Sequence, residues 1–348
     1  MLDRTNYNNI NAINYSTLSK LHKHPRLLIA EPSAPHPGQV MGSLIDCLML
    51  TPDEFDEKFY VSAAKTPSES MFNLLNEYLL IAGEGYYPIN EEHVRTANST
   101  VKLGGNWKID TVIAKFKEAC EIFLSEKQTA GNRLVADTQT VDRASRLVTS
   151  ATTNKFVNEI MNPSGENGLI ASQLAIVFYT RFLPDQLFKG LLDRLVIDVE
   201  KSKIIINDVK YDSGEMLAFI QSFTHWNYHL QVAMYRQAIE ALLIDERADC
   251  SVQAVKDLLF EAKNYEIEFN FIVLSENFEP MIYRTTTSDY ALGLYGGTLS
   301  NGIKKKGIIQ LSNEYLRHKE SNFYDYPLDI YDNKGIVQLG VSFVPLNV

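Results

Sequence analysis

The stretch LLDRLVIDVEKSKIIINDVKYD, from Leu191 to Asp212, constrains this chain more than any other. Two runs rich in Leu, Val and Ile alternate with polar residues, the period of strands with one buried face. With a turn centred between Glu200 and Lys201, the runs form a hairpin in which Asp198 faces Lys203, Ile197 faces Ile204, Leu195 faces Ile206 and Asp193 faces Asp208. One face then carries Asp193, Leu195, Ile197, Ile204, Ile206, Asp208 and Lys210. Its apolar members belong in a core, yet it ends in two opposed carboxylates with a lysine one step beyond. Like charges paired across strands are destabilising, and each acid raises the other's pKa. A divalent cation removes the conflict, since Mg²⁺ and Mn²⁺ take oxygen ligands. The alternative is a solvated hairpin end in which Asp208 pairs with Lys210 or Arg194.

The rest of the chain frames this hairpin. Residues 14–24 read as a helix capped by Ser16 or Thr17, with Lys20, His22, Lys23, His24 and Arg26 clustered around its end. Pro32, Pro35 and Pro37 mark an irregular link. Gly42–Leu50 is an apolar helical run stopped near Thr51-Pro52. Residues 66–82 and 109–127 read as amphipathic helices, Gly83–Trp107 as loop, and Thr138–Met161 as one helix. Strands follow at Leu169–Ile176, Phe178–Phe182, Leu191–Asp198 and Lys203–Lys210. Then come helices over 213–222 and 225–245, strands at Glu266–Leu274 and Met281–Thr287, and a helix over Thr287–Lys305. This order fits an α/β or α+β fold.

At 348 residues the chain can bury a large core, and 45% hydrophobic with 22% charged residues is ordinary for a soluble globular protein. A net charge of −10 argues against a generally nucleic-acid-coated surface but leaves room for a local basic groove. Three scattered cysteines, Cys47, Cys120 and Cys250, suggest neither a disulfide framework nor a zinc cluster, so a reducing cytoplasm is expected. The opening MLDRTNYNNI lacks an apolar signal core, and no run of about 18 apolar residues predicts a membrane span. There is no G-x-x-x-x-G-K-[ST] loop for an ATP-driven motor and no nucleophile elbow for a serine hydrolase. His225 and His229 stand four apart, but Trp226 occupies the place of the glutamate in a zinc helix.

The ordered set Gly190-x-x-Asp193-Arg194, hairpin, Asp208-x-Lys210 and Gln231-x-x-x-Tyr235 resembles the RecB-type branch of the PD-(D/E)XK nucleases. The segment GSLIDCLMLTPDEFDEKFYV and the N-terminal S-T and H-P elements are more specifically similar to phage RecE-like, exonuclease VIII-like proteins. The likeness spans about residues 10–320. It implies a PD-(D/E)XK restriction-endonuclease-like core, a mixed central β-sheet flanked by helices, with a helical N-terminal region. It implies one nuclease domain over 1–348: 1–165 mainly helical and carrying Asp46, 166–245 holding the catalytic sheet and the Q-x-x-x-Y helix, and 246–348 adding late strands and helices.

By the same resemblance, Asp193 and Asp208 are metal-binding acids, the Val209 carbonyl is a further ligand, and Lys210 is the catalytic lysine. Gln231 and Tyr235 order the site from the helix behind it. Asp46 stands where many relatives carry a ligand histidine, and Gln173 stands nearest to where they often carry a glutamate, which puts a second metal in question. The implied activity is Mg²⁺- or Mn²⁺-dependent 5′–3′ exonuclease action on duplex DNA ends in phage-type recombination or repair. Implied with it are a single-strand annealing protein or recombinase as partner, a homo-oligomer, no membrane, and a phage or prophage origin in a bacterial cytoplasm. The alternatives are an endonuclease of the same fold and a catalytically weak DNA-binding accessory protein. Lys20 and Arg26 are candidate phosphate contacts, Arg194 is structural or a backbone DNA contact, and Lys304-Lys305-Lys306 is a solvated run or part of a DNA channel. Trp226 reads as ordinary helix packing.

Overall fold

The computed structural model describes residues 2–30, 37–65, 67–163 and 168–335. Its helices are α1 (Tyr15–Lys23), α2 (Pro37–Leu50), α3 (Phe55–Lys58), α4 (Glu69–Ala82), α5 (Glu91–Val101), α6 (Ile109–Ala130), α7 (Thr138–Thr153), α8 (Lys155–Met161), α9 (Ala218–His225), α10 (Tyr228–Ile244), α11 (Gln253–Glu261), α12 (Thr287–Tyr295), α13 (Ile308–Ser321) and α14 (Leu328–Asp332). The strands are β1 (Phe59–Ser62), β2 (Leu134–Asp137), β3 (Leu169–Thr180), β4 (Leu183–Asp198), β5 (Lys203–Tyr211), β6 (Asp249–Cys250), β7 (Glu266–Leu274), β8 (Met281–Arg284), β9 (Gly296–Thr298) and β10 (Lys304–Lys306).

Six strands form a central sheet in the order β6-β3-β4-β5-β7-β8, antiparallel throughout except for the parallel β5–β7 pair. This is a mixed α/β fold with the sheet between helices. The hairpin register follows the alternation: Asp198 pairs with Lys203, Ile197 with Ile204, Leu195 with Ile206, and Arg194 with Asn207. Leu195, Ile197, Ile204 and Ile206 are fully buried in a cluster with Leu230, Met234 and Ile239 of α10. Each such side chain contributes about 1.5–3 kcal/mol of apolar burial. On the other face Val209, Ile272 and Leu274 pack with Met41, Leu44 and Ile45 of α2. A third cluster, including Leu74, Tyr78 and Phe116, lies among α4, α5 and α6. Among the described residues no helix is long and apolar enough to cross a membrane, and the three cysteines are buried and unbridged.

Several expectations need correction. Gly83–Trp107 holds α5: Asn90 caps it by accepting the Glu92 N–H at 2.9 Å, and Val94 and Ala97 are buried. Thr138–Met161 is two helices, because Asn154 ends the first and its side chain accepts the Phe156 and Val157 N–H groups of the second. The helix from Thr287 stops at Tyr295, where Gly296 takes φ 78°, and the remainder is the β9–β10 hairpin. Leu169–Thr180 is one strand rather than two. Asn14, not Ser16 or Thr17, caps α1. Pro37 opens α2 instead of belonging to an irregular link; Pro32 and Pro35 lie outside the described residues.

Candidate active site

Main-chain pairing of β4 with β5 ends at Arg194 and Asn207, one residue before the aspartates. There the Asp193 side chain takes over: its Oδ2 accepts the Val209 N–H at 2.9 Å. The β3–β4 ladder also skips Gln173 opposite Asp193, and Gln173 sits at φ 49°. A non-glycine residue in this region costs about 1–3 kcal/mol. The distortion aims the Gln173 amide at Asp193, with Nε2 donating to Oδ1 at 3.2 Å. The sheet is thus opened on both sides of Asp193, and its carboxylate is held by donors from both neighbouring strands.

Asp208 is 1% exposed. Its Oδ1 accepts a 2.6 Å hydrogen bond from Gln231 Nε2 on α10, and its Oδ2 meets the Lys210 ammonium. Lys210 Nζ also donates to the Val209 carbonyl at 3.3 Å and lies 5.3 Å from the centre of the Tyr228 ring. Tyr235, one turn past Gln231, packs its ring over Gly190 of β4. Asp46, on α2, comes within electrostatic reach of Asp193, Lys210 and Asp208 at the end of the hairpin.

The electrostatics are unbalanced. Burial, then the charge of Asp193, pushes Asp46 well above the ordinary carboxylate range, with Lys210 opposing. Burial raises Asp193 against the pull of Lys210 and the Val209 N–H. Burial also raises Asp208 to about 7, Lys210 again opposing and Asp193 adding to the rise. Burial alone would discharge Lys210, but Asp208 and Asp193 outweigh it and hold the side chain as an ammonium. In this arrangement Lys210 can bind an anionic phosphate oxygen or orient a water; it does not take a proton. Tyr235 is kept a neutral phenol by burial and by the two aspartates.

Asp193 and Asp208 are buried close enough for the charge of one to raise the other, a pairing that two ionised carboxylates sustain only with a proton or cation between them. Among the described residues no three His, Cys, Asp or Glu side chains are placed so that they could hold a metal ion together. Asp208 is drawn toward Lys210 and Gln231, and Asp193 toward Val209 and Gln173. The donor chemistry nevertheless fits a hard cation: three carboxylates and a backbone carbonyl face one lysine.

The structure therefore brings Asp193, Asp208, Val209, Lys210, Gln231 and Tyr235 together, with Asp46 near. It does not bring in the other candidates. Arg194 points to the opposite face, where it donates to the Met161 carbonyl (2.9 Å), Ser172 Oγ (3.0 Å) and Asn162, tying α8 to the sheet. Arg26 is 67% exposed and paired with Asp325, and Lys20 is exposed. Lys305 turns inward to the Thr224 carbonyl and Asn227, while Lys306 pairs with Glu314. Sequence reasoning missed Tyr15, which senses Tyr228, Lys210 and Asp208 through their charges. It is placed by Ile13, whose backbone bridges to β4 through Leu187 and Lys189, and no local pattern signals that contact.

No protein-family model matches the sequence, and no curated protein does. Among solved structures, the fold is similar to the crystal structure of a "Putative exonuclease" from Eubacterium rectale, with a TM-score of 0.46 and 11% identity over 98% of this chain and 96% of that one. The functional reading rests on the site's own geometry.

Proposed function

We propose that this chain is a divalent-metal-dependent deoxyribonuclease with a PD-(D/E)XK core of the RecB/RecE-like branch, acting as an exonuclease on duplex DNA ends in phage-type recombination or repair. One observation carries the reading. Two buried, mutually repelling aspartates close a strand hairpin beside a charged lysine, and the helix behind grips one of them through Gln231. Asp193, Asp208, the Val209 carbonyl and Asp46 would hold Mg²⁺ or Mn²⁺. When bound, that ion supplies Lewis-acid polarisation of the phosphoryl group and a more acidic attacking water. The chain's own groups do the rest. Gln231 fixes the orientation of Asp208, the Val209 N–H fixes Asp193, and the Lys210 ammonium stabilises charge that develops on phosphate oxygen. Polarity on the duplex, a single-strand annealing or recombinase partner, and oligomerisation belong to this proposal by resemblance.

A catalytically weak DNA-binding accessory protein is the second reading. It is favoured by Gln173, whose amide donates to Asp193 where a further acid would add a ligand. Incubating linear and closed circular DNA with Mg²⁺ or Mn²⁺ separates the readings. Loss of linear DNA alone, abolished by Lys210→Ala, supports the exonuclease. Nicking of the circle supports an endonuclease, and binding without cleavage under either metal supports the accessory role.

A further inference from the structure

Trp226 is 45% exposed, although it lies between two helices that pack against the core. Its backbone is held from several sides. The Trp226 N–H donates to the Ser222 carbonyl at 2.9 Å. The Trp226 carbonyl accepts from Tyr15 Oη at 2.8 Å and from Ser19 Oγ at 3.4 Å. Lys305 Nζ clamps the same junction through the Thr224 carbonyl (2.6 Å) and Asn227 Oδ1 (2.7 Å), and Asn227 itself sits at φ 59°. So the junction is fixed while the indole is left in solvent. Helix packing, the expectation from sequence, accounts for the neighbours of Trp226 but not for its exposed ring.

The surroundings are cationic despite the acidic whole. Lys23 Nζ lies over one face of the indole, 4.4 Å from its centroid, and the His225 ring stands edge-on to it with the two ring centres 4.6 Å apart. Among the described residues neither Lys20 nor Lys23 has an acid partner, and Lys305 has only neutral acceptors. A chain of partly buried side chains links the patch to the candidate active site. Tyr15, which fixes Trp226, is close enough to Tyr228, Lys210 and Asp208 to feel their charges, and Lys210 lies over Tyr228.

We infer that Trp226, with Lys23 over one face of its ring and the opposite face taking the base, is a base-stacking platform for single-stranded DNA near the site. An exposed aromatic ring accepts any base by its π-face, and adjacent ammonium groups hold the phosphates. The inference rests on the nucleic-acid reading above and adds a residue to it that the hairpin motif does not contain. One strand stacked on Trp226 would be kept apart from its complement while the scissile phosphate is presented to Lys210.

The chain has two tryptophans, Trp107 and Trp226, so Trp107→Phe leaves Trp226 as the only indole. Titrating that variant with oligo-deoxythymidylate in EDTA, where no hydrolysis occurs, should quench its fluorescence saturably. An abasic oligomer of equal length should not quench it. In the otherwise wild-type chain, Trp226→Leu should weaken oligo-deoxythymidylate binding about tenfold or more at an unchanged melting midpoint, and Trp226→Phe should retain most of the affinity. Absent quenching, equal quenching by the abasic oligomer, or full affinity in Trp226→Leu would each overturn the platform. Quenching without hydrolysis under Mg²⁺ or Mn²⁺ would overturn the nuclease reading and leave the platform standing; hydrolysis without quenching would do the reverse.

Discussion

The β4–β5 hairpin buries acids at both ends, and the two ends are built differently. At the turn, Asp198 is 4% exposed, yet its carboxylate accepts the Lys201 N–H at 3.0 Å and meets the Lys201 ammonium at 3.1 Å. Beside it, Glu268 is 8% exposed and held between Lys203 and Arg284, the latter at 2.9 Å. Every buried acid there has at least one cation of its own. At the open end, Asp46, Asp193 and Asp208 face the single ammonium of Lys210, and all three carboxyls are pushed upward. Buried acids at the two ends of one hairpin are compensated where they hold the fold and left short of positive charge where chemistry is proposed. Perturbed groups of this kind gather at functional sites.

That contrast can be broken in several ways, and the largest effect should be on activity. Lys210→Ala should reduce hydrolysis of linear duplex DNA by about 10²–10⁴-fold, the range for removing a positioned electrostatic or acid–base group. Single-turnover rates would show it, and a loss under tenfold would place Lys210 among structural cations.

The next effect is an opposition in stability. Asp208→Asn and Asp46→Asn should each stabilise the metal-free protein by about 1–2 kcal/mol while abolishing or impairing hydrolysis, because each removes one of three buried carboxylate charges that share the single ammonium of Lys210. Glu268→Gln should destabilise by about 1–2 kcal/mol, since it leaves Arg284 without its acid and Lys203 with only Glu266, 3.8 Å away. Urea melts in EDTA compare the three; destabilisation by all of them would erase the difference between the ends.

A pH dependence sharpens it further. Asp208 is raised to about 7, against an unperturbed value of 3.8. Below about pH 4 folded and unfolded chains both hold this proton. Between about 4 and 7 the unfolded chain has lost it and the folded chain keeps it, so stability falls as pH rises through that window. The advantage of Asp208→Asn over wild type should therefore be larger at pH 8 than at pH 5 in EDTA, and a constant gap would contradict the assignment. The smallest effect belongs to the turn. Lys201 is 63% exposed, and Lys201→Ala should cost under about 0.5 kcal/mol by the same melts.

How much of this was legible in the sequence differs by region for physical reasons. The hairpin register was readable because strict alternation leaves one arrangement that buries Leu195, Ile197, Ile204 and Ile206 together. That arrangement carries Asp208 and Lys210 to the α10 side, where Gln231 and Tyr235, four residues apart, already share a helix face. The strands β1 and β2 were not readable. Each has four residues and a partner about 75 positions away, too short to show a period. Helix α5 did carry a signal, Asn90 followed by two acids, but it was masked by the glycines, proline and asparagines around it. The break at Asn154 and the stop at Gly296 likewise needed cap geometry rather than hydropathy. Tyr15 and the exposure of Trp226 depend on contacts between residues some 200 positions apart, which no local pattern encodes. The opening of the sheet at Gln173 and Asp193 is a ladder defect, and an alternating run of residues gives no hint of it.

The central claim is that the open end of the hairpin is short of positive charge because it accepts a divalent cation. Calorimetric titration of Mn²⁺ into the wild-type chain and into Asp208→Asn, in two buffers of different ionisation enthalpy near pH 7, tests it most directly. The account predicts saturable binding to the wild type with release of protons, and weak or no binding to the variant. Binding of equal strength in both, or none in the wild type, would contradict it.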